Sequence, residues 1–147
     1  MPRYLLDTNV LLRAAQEEAA DHIVATSAIS SLAARGEDLV LTPQILIEFW
    51  SVATRPIDVN GLGWSVQLAD EEVTRLLDQF PILVDRPEVF AHWLQIVRSH
   101  GVKGRKVHDA RLVAIMRAHG VSHLLTFNVD DFKGHLDIAS VHPRNVG

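Results

Sequence analysis

Apolar residues along this chain fall into two patterns. Short unbroken runs, Tyr4-Leu5-Leu6, Leu39-Val40-Leu41, Ile82-Leu83-Val84 and Leu124-Leu125, alternate with longer stretches where apolar positions recur every three or four residues. Unbroken runs suit strands buried on both faces of a parallel sheet. The longer spacing suits amphipathic helices. The punctuation agrees. Thr42-Pro43 reads as an N-cap followed by proline at the first helical position, and Pro56 stops that helix near Arg55. Gly36 and Gly120 are plausible stops for helices carrying Val24, Ala28 and Leu32, and Leu112, Val113 and Met116. Residues 55–63 form a loop by their Pro and Gly content. Trp64 leads into a helix striped by Val66, Ala69, Val73, Leu76, Leu77 and Phe80, which ends at Pro81. Asp85 can cap a helix opened by Pro87 and striped by Val89, Trp93, Ile96 and Val97. Trp64, Phe80 and Trp93 are most simply core. A last strand is expected near residues 138–142. Strand–helix alternation predicts an α/β fold, a three-layer α/β/α sandwich with a central, mainly parallel sheet. It is expected to be a single domain over residues 1–147.

Composition narrows the class. A chain of 147 residues with 48% apolar content can bury a sizeable core. No apolar run is long enough to span a membrane, and the N-terminus lacks a signal-peptide layout. There is no cysteine, which excludes disulfides, thiolate zinc sites and a cysteine nucleophile, and fits a cytoplasmic location. The net charge of -4 makes a whole-surface grip on nucleic acid unlike this chain; any such binding needs a local basic patch.

The acids fall at repeating places. Asp7 ends the first strand, where open α/β sheets put their ligands. It is also a good N-cap type for the helix beginning near Val10, so cap and active-site acid are both open. Glu48 lies inside the apolar arc of Ile45, Phe49 and Val52; an acid there either snorkels at a rim or has a partner. Asp109 shares a side with Leu112, Val113 and Met116 in a first helical turn, where the helix dipole alone would favour it. Asn128, Asp130 and Asp131 follow the strand His123-Leu124-Leu125-Thr126. In a parallel sheet these positions meet at one edge. Crowded carboxylates repel one another, and a divalent cation relieves that. Oxygen-only ligands suit Mg²⁺ or Mn²⁺, and the chemistry that follows is metal-assisted phosphodiester hydrolysis.

These pieces resemble the PIN domains and, within them, the VapC-type toxin ribonucleases. The resemblance rests on Leu6-Asp7-Thr8-Asn9-Val10-Leu11, Glu48, His108-Asp109-Ala110, and Leu125-Thr126-Phe127-Asn128-Val129-Asp130-Asp131-Phe132. Ala53-Thr54-Arg55-Pro56 with Asn60-Gly61-Leu62-Gly63 also looks like one branch of these toxins. The resemblance implies a metal-dependent endoribonuclease for single-stranded RNA, a homodimer restrained by a cognate antitoxin. It carries the metal carboxylates onto Asp7, Glu48 and Asp109. The family's fourth acid falls on Asn128, which keeps hydrogen bonding without the charge. Asp130 or Asp131 can compensate as a further ligand or by holding water, although Asp131 also suits a structural turn. Thr8 and Thr126 can orient a ligand or serve as turn hydroxyls. Arg13, Arg105 and Lys106 are candidates for RNA phosphates; Lys103 and Arg111 are weaker ones.

Two other readings compete. In one, Asn128 leaves a catalytically weak RNA-binding module. In the other, the chain is a phosphatase of the haloacid-dehalogenase type, which also ends its first strand in Asp but wants a second Asp where Asn9 stands.

Overall fold

The computed structural model describes residues 2–147. Among these, four short parallel strands form a sheet in the order β2-β1-β3-β4: β1 Arg3–Leu6, β2 Asp38–Val40, β3 His123–Leu125 and β4 Ala139–Val141. Six α-helices flank it: α1 Thr8–Ala15, α2 His22–Ala34, α3 Pro43–Thr54, α4 Val66–Gln79, α5 Glu88–His100 and α6 Lys106–His119. The three-layer α/β/α architecture is the one the alternation predicts. Leu5, Leu6, Leu124 and Leu125 are fully buried, as both-face burial of a central parallel pair requires. Leu6 pairs with Leu125 at the carboxyl ends of β1 and β3.

That pair is the topological switch point. β2 lies on one side of β1 and β3 on the other, so the chains leaving β1 and β3 part and open a crevice, the place where such sheets bind ligands. Helix α3 begins just beyond β2 with Thr42 as N-cap, its hydroxyl accepting from Ile45 N at 3.2 Å. Its buried face is Ile45, Leu46, Phe49 and Ala53.

Two expectations are corrected. Ile82-Leu83-Val84 is not a strand; only a single bridge, Leu41 to Ile82, extends the β2 edge. Pro81 has no N–H to give a ladder, and Ile82 and Val84 are exposed, so no face drives further pairing. Asp85 does not cap α5, which starts from Pro87 without a side-chain cap. Asp85 accepts from Arg111 at 3.0 Å instead.

The loop after α3 caps that helix's carboxyl end. Leu62 N donates to Val52 O, Trp64 N to Ala53 O and Gly63 N to Arg55 O. These bonds occupy carbonyls that a helix end leaves without partners. They also seat Trp64 edge-on against Phe49, with ring centroids 6.0 Å apart.

Candidate active site

At the switch point the chain builds a polar cavity of about 230 Å³. Its walls include Asp7, Thr8, Asn9, Glu48, Asp109, Asn128 and Asp131, with Leu12 and Phe132 as apolar boundaries. Four segments distant in sequence therefore contribute to one hollow. A larger groove of about 580 Å³ between α5 and α6 is lined by Phe90, Trp93 and Arg111 and gathers no set of acids.

Asp7 both caps its helix and lines the cavity. Its Oδ1 accepts from Thr8 N at 2.8 Å, so it caps α1, and its carboxylate also faces the cavity. Its Oδ2 accepts from the Thr126 hydroxyl at 2.8 Å and from Asn9 Nδ2 at 3.4 Å. Burial pushes its pKa up, the bonds from Thr126 and Thr8 pull against that, and Glu48 and Asp131 add repulsion. Thr126 is fully buried and acts as a hub: its oxygen also accepts from Asn9 Nδ2 at 3.2 Å and from Asn128 N at 3.0 Å. Asn9 Oδ1 accepts from Phe127 N at 3.1 Å, which ties the β3 turn to α1.

Glu48 is half-buried on α3, and its Oε2 accepts from the Thr8 hydroxyl at 3.1 Å. Asp109 sits in the first turn of α6, half-buried, with its pKa pushed up to about 6. Burial is the main cause; Asp131, Asp7 and Glu48 add to it, and Lys106 opposes it. The four acids are thus close enough for each charge to oppose the others.

The turn after β3 separates its two acids. Asp131 lines the cavity, whereas Asp130 points to solvent and pairs with Lys133 at 2.9 Å. Asn128 also lines the cavity. Of the basic candidates, Arg105 and Lys106 are exposed at the start of α6. Arg13 is engaged elsewhere: its guanidinium stacks 4.3 Å above the Phe127 ring, donates to Asn9 O and lies 3.6 Å from Asp21. Arg111 is bound to Asp85 and Gln44. The sequence reading missed Asn9 and Gln44 as site-builders. For Gln44 the signal was present, since it stands one helical turn before Glu48.

The donor set facing the cavity is all oxygen, which fits a hard divalent cation. Among the described residues, no three acidic or imidazole side chains close into a ready-made ion cage.

The sequence model of the PIN domain matches residues 4–134. The chain belongs to the PIN domain family. This PIN domain is 25% identical over 128 residues to ribonuclease VapC24 of Mycobacterium tuberculosis, covering 86% of this chain and 87% of that one. Its fold is shared with VapBC2 of Rickettsia felis, bound to a promoter DNA fragment (TM-score 0.71, 14% identity, 95% and 98% of the two chains). It is shared too with a toxin–antitoxin complex from Klebsiella pneumoniae (TM-score 0.63, 20% identity, 95% and 97%).

The raised acids have a consequence for the metal-free PIN domain. Asp109 titrates near 6 when folded and near 3.8 when unfolded, so its stability contribution is full below about 3.8 and lost as pH rises through about 6. His135, whose pKa is lowered chiefly by burial, acts in the opposite sense, and Asp109→Asn retains it. With chelator present, wild type is expected to gain roughly 1 kcal/mol or less relative to Asp109→Asn from pH 7.5 to 5, after discounting for the solvent that reaches the group. Paired denaturant titrations measure this. An unchanged difference would mean that neither burial nor the neighbouring acids raise Asp109 in the folded state.

Proposed function

We propose that this PIN domain is a metal-dependent endoribonuclease that cleaves single-stranded RNA, the toxin of a toxin–antitoxin pair. The observation that carries the reading is the convergence of Asp7, Glu48, Asp109 and Asp131 on one cavity at the switch point of the sheet. Similarity to a ribonuclease supports the activity, and likeness to a toxin–antitoxin complex supports a cognate antitoxin as partner. The phosphatase reading has no support in the family.

In this reading Asp7, Glu48 and Asp109 hold Mg²⁺ or Mn²⁺, and Asp131 supplies the charge that Asn128 lacks. The chemistry gained with the ion in place is polarisation of a phosphodiester and activation of water. The chain's own residues prepare for it. Thr126 and Asn9 fix Asp7, Thr8 orients Glu48, and Phe132, 2% exposed, walls the cavity against bulk water. Asn128 offers an amide to a water or to substrate. Arg105 and Lys106 stand beside Asp109, where an RNA phosphate would enter.

Purified protein should cut single-stranded RNA with Mn²⁺, lose the activity in EDTA and recover it when Mn²⁺ is restored. Asp131→Asn should lower the rate by about tenfold or more, by analogy with losing one electrostatic group from a site, and Asp130→Asn should leave it unchanged. RNA binding without any cleavage would favour the weak binding module instead.

The proposed assembly is a homodimer. Ile47 is 68% exposed on the outer face of α3, and Trp50 beside it lines a shallow apolar hollow with Leu46 and Val73. Trp64 packs edge-on against Phe49 and does not line this hollow. Light scattering should give twice the chain mass, and Ile47→Glu should give the monomer.

No helix among the described residues is long and apolar enough to cross a membrane.

A further inference from the structure

Gln44 and Glu48 lie one turn apart on the same face of α3. The Gln44 amide nitrogen donates to Glu48 Oε1 at 3.3 Å and to the His108 carbonyl at 2.9 Å. Its amide oxygen accepts from Arg111 Nη1 at 2.9 Å. Arg111 Nη2 donates to Asp85 Oδ1 at 3.0 Å. The partners fix which way the amide points. A guanidinium only donates, while a carboxylate and a carbonyl only accept, so one orientation satisfies all three contacts.

With Thr8 on Oε2 and Gln44 on Oε1, both oxygens of Glu48 are held by neutral donors. Neutral donors orient a carboxylate without cancelling the charge it presents to the cavity. Glu48 has particular need of this. Asp7 is short, sits at a rigid strand end and is buried; Glu48 has one more rotatable bond and projects from a helix, so more rotamer freedom must be removed to aim it.

We propose that Gln44 is the positioning residue of Glu48, and that Arg111, anchored on Asp85, holds Gln44 in place. The chain of contacts links α6, which carries Asp109, to α3, which carries Glu48. It also gives Arg111 a task other than gripping RNA phosphate. The proposal rests on the metal-nuclease reading of the cavity and adds the support on which one ligand depends.

The test uses the full chain and Mn²⁺ alone. Gln44→Met keeps length and removes the amide; Arg111→Met removes the anchor. Calorimetric titration of metal-free protein should show Mn²⁺ affinity weakened about tenfold in Gln44→Met, the usual scale for losing a group that orients a ligand. Arg111→Met should show part of that loss, and the double variant should be no worse than Gln44→Met, because the two act in series. Melting temperature should stay within a few degrees and KM for RNA should be unchanged. Mn²⁺ binding by Gln44→Met as tight as wild type overturns the proposal alone. Raised KM in Arg111→Met with unchanged Mn²⁺ affinity overturns the role given to Arg111. Wild type that binds no Mn²⁺ overturns the nuclease reading and this proposal with it.

Discussion

Asp7→Asn is expected to abolish most RNA cleavage while leaving the metal-free protein as stable as wild type or more so. The rate should fall by about 10²-fold or more, the scale seen when a preorganised electrostatic group is lost. The stability expectation follows from burial. Asp7 is 8% exposed, and its pKa is raised despite three accepted hydrogen bonds, so without a cation the charge is a net burden on the folded state. Asn removes that burden and the repulsion from Glu48 and Asp131. It introduces a smaller conflict. If its oxygen keeps the bond from Thr8 N, its amide nitrogen faces the Thr126 hydroxyl, which must turn its proton elsewhere, and Asn9 Nδ2, whose long 3.4 Å bond is lost while its 3.2 Å bond to Thr126 remains. One rearranged hydroxyl costs about 1 kcal/mol, comparable with what charge removal returns. A residue that only capped α1 would behave otherwise, because Asn and Asp cap about equally well and cleavage would persist. RNA cleavage with Mn²⁺ and melting in EDTA, run on the same preparation, separate the two. Full activity in the variant would remove Asp7 from the site.

Gly61→Ala should have the largest effect on stability of any single methyl added to the loop after α3. A Cβ at Gly61 would lie 1.9 Å from Arg55 O and 2.3 Å from Arg55 C. Those are backbone atoms, so no side-chain rotation relieves the overlap, and the loop must move away from α3. The three bonds from Leu62, Gly63 and Trp64 to the end of α3 would go with it. At about 1 kcal/mol each, the loss is about 3 kcal/mol, or roughly 10 °C in a domain of this size. Gly101→Ala is the control. Its positive φ of 59°, a strain that Gly61 does not have, comes with nothing within 4 Å, so only about 1 kcal/mol is expected. Thermal melting of both variants measures the difference; equal losses would mean that Gly61 matters only through chain flexibility. Glu48 is upstream of the displaced segment, so cleavage by surviving folded Gly61→Ala should remain within a few-fold of wild type.

The sheet was legible in the sequence because its inner strands, after an opening Arg3 or His123, run on without a polar residue. Leu5, Leu6, Leu124 and Leu125 read as buried and are. Helix boundaries marked by Thr42-Pro43, Gly36 and Gly120 also read directly, since each marker has a local steric or hydrogen-bonding cause. Ile82-Leu83-Val84 misled because its apolar run is identical in kind to a strand, although Pro81 cannot donate to a ladder and the exposed Ile82 and Val84 leave no buried face to drive one. The positions of Asp7, Glu48 and Asp109 could be placed at one edge from topology alone. Which of Asp130 and Asp131 faces inward could not, because that depends on where the single turn of 3₁₀ helix, Val129–Phe132, begins. Nor could the Arg111–Gln44 link, whose partners are 67 residues apart and belong to no motif.

The bond from Thr126 to Asp7 spans 119 residues of sequence. During synthesis, β1 leaves the ribosome long before β3 exists to pair with it, and a parallel pairing of such separation is slow to close. A nascent chain already holding Asp7 and Glu48 still lacks the hydroxyl that aims Asp7 and the turn that brings Asp131. The cavity is therefore complete only once residues 126–131 have been made, so a truncated product ending before Thr126 carries Asp7, Glu48 and Asp109 without the assembled site.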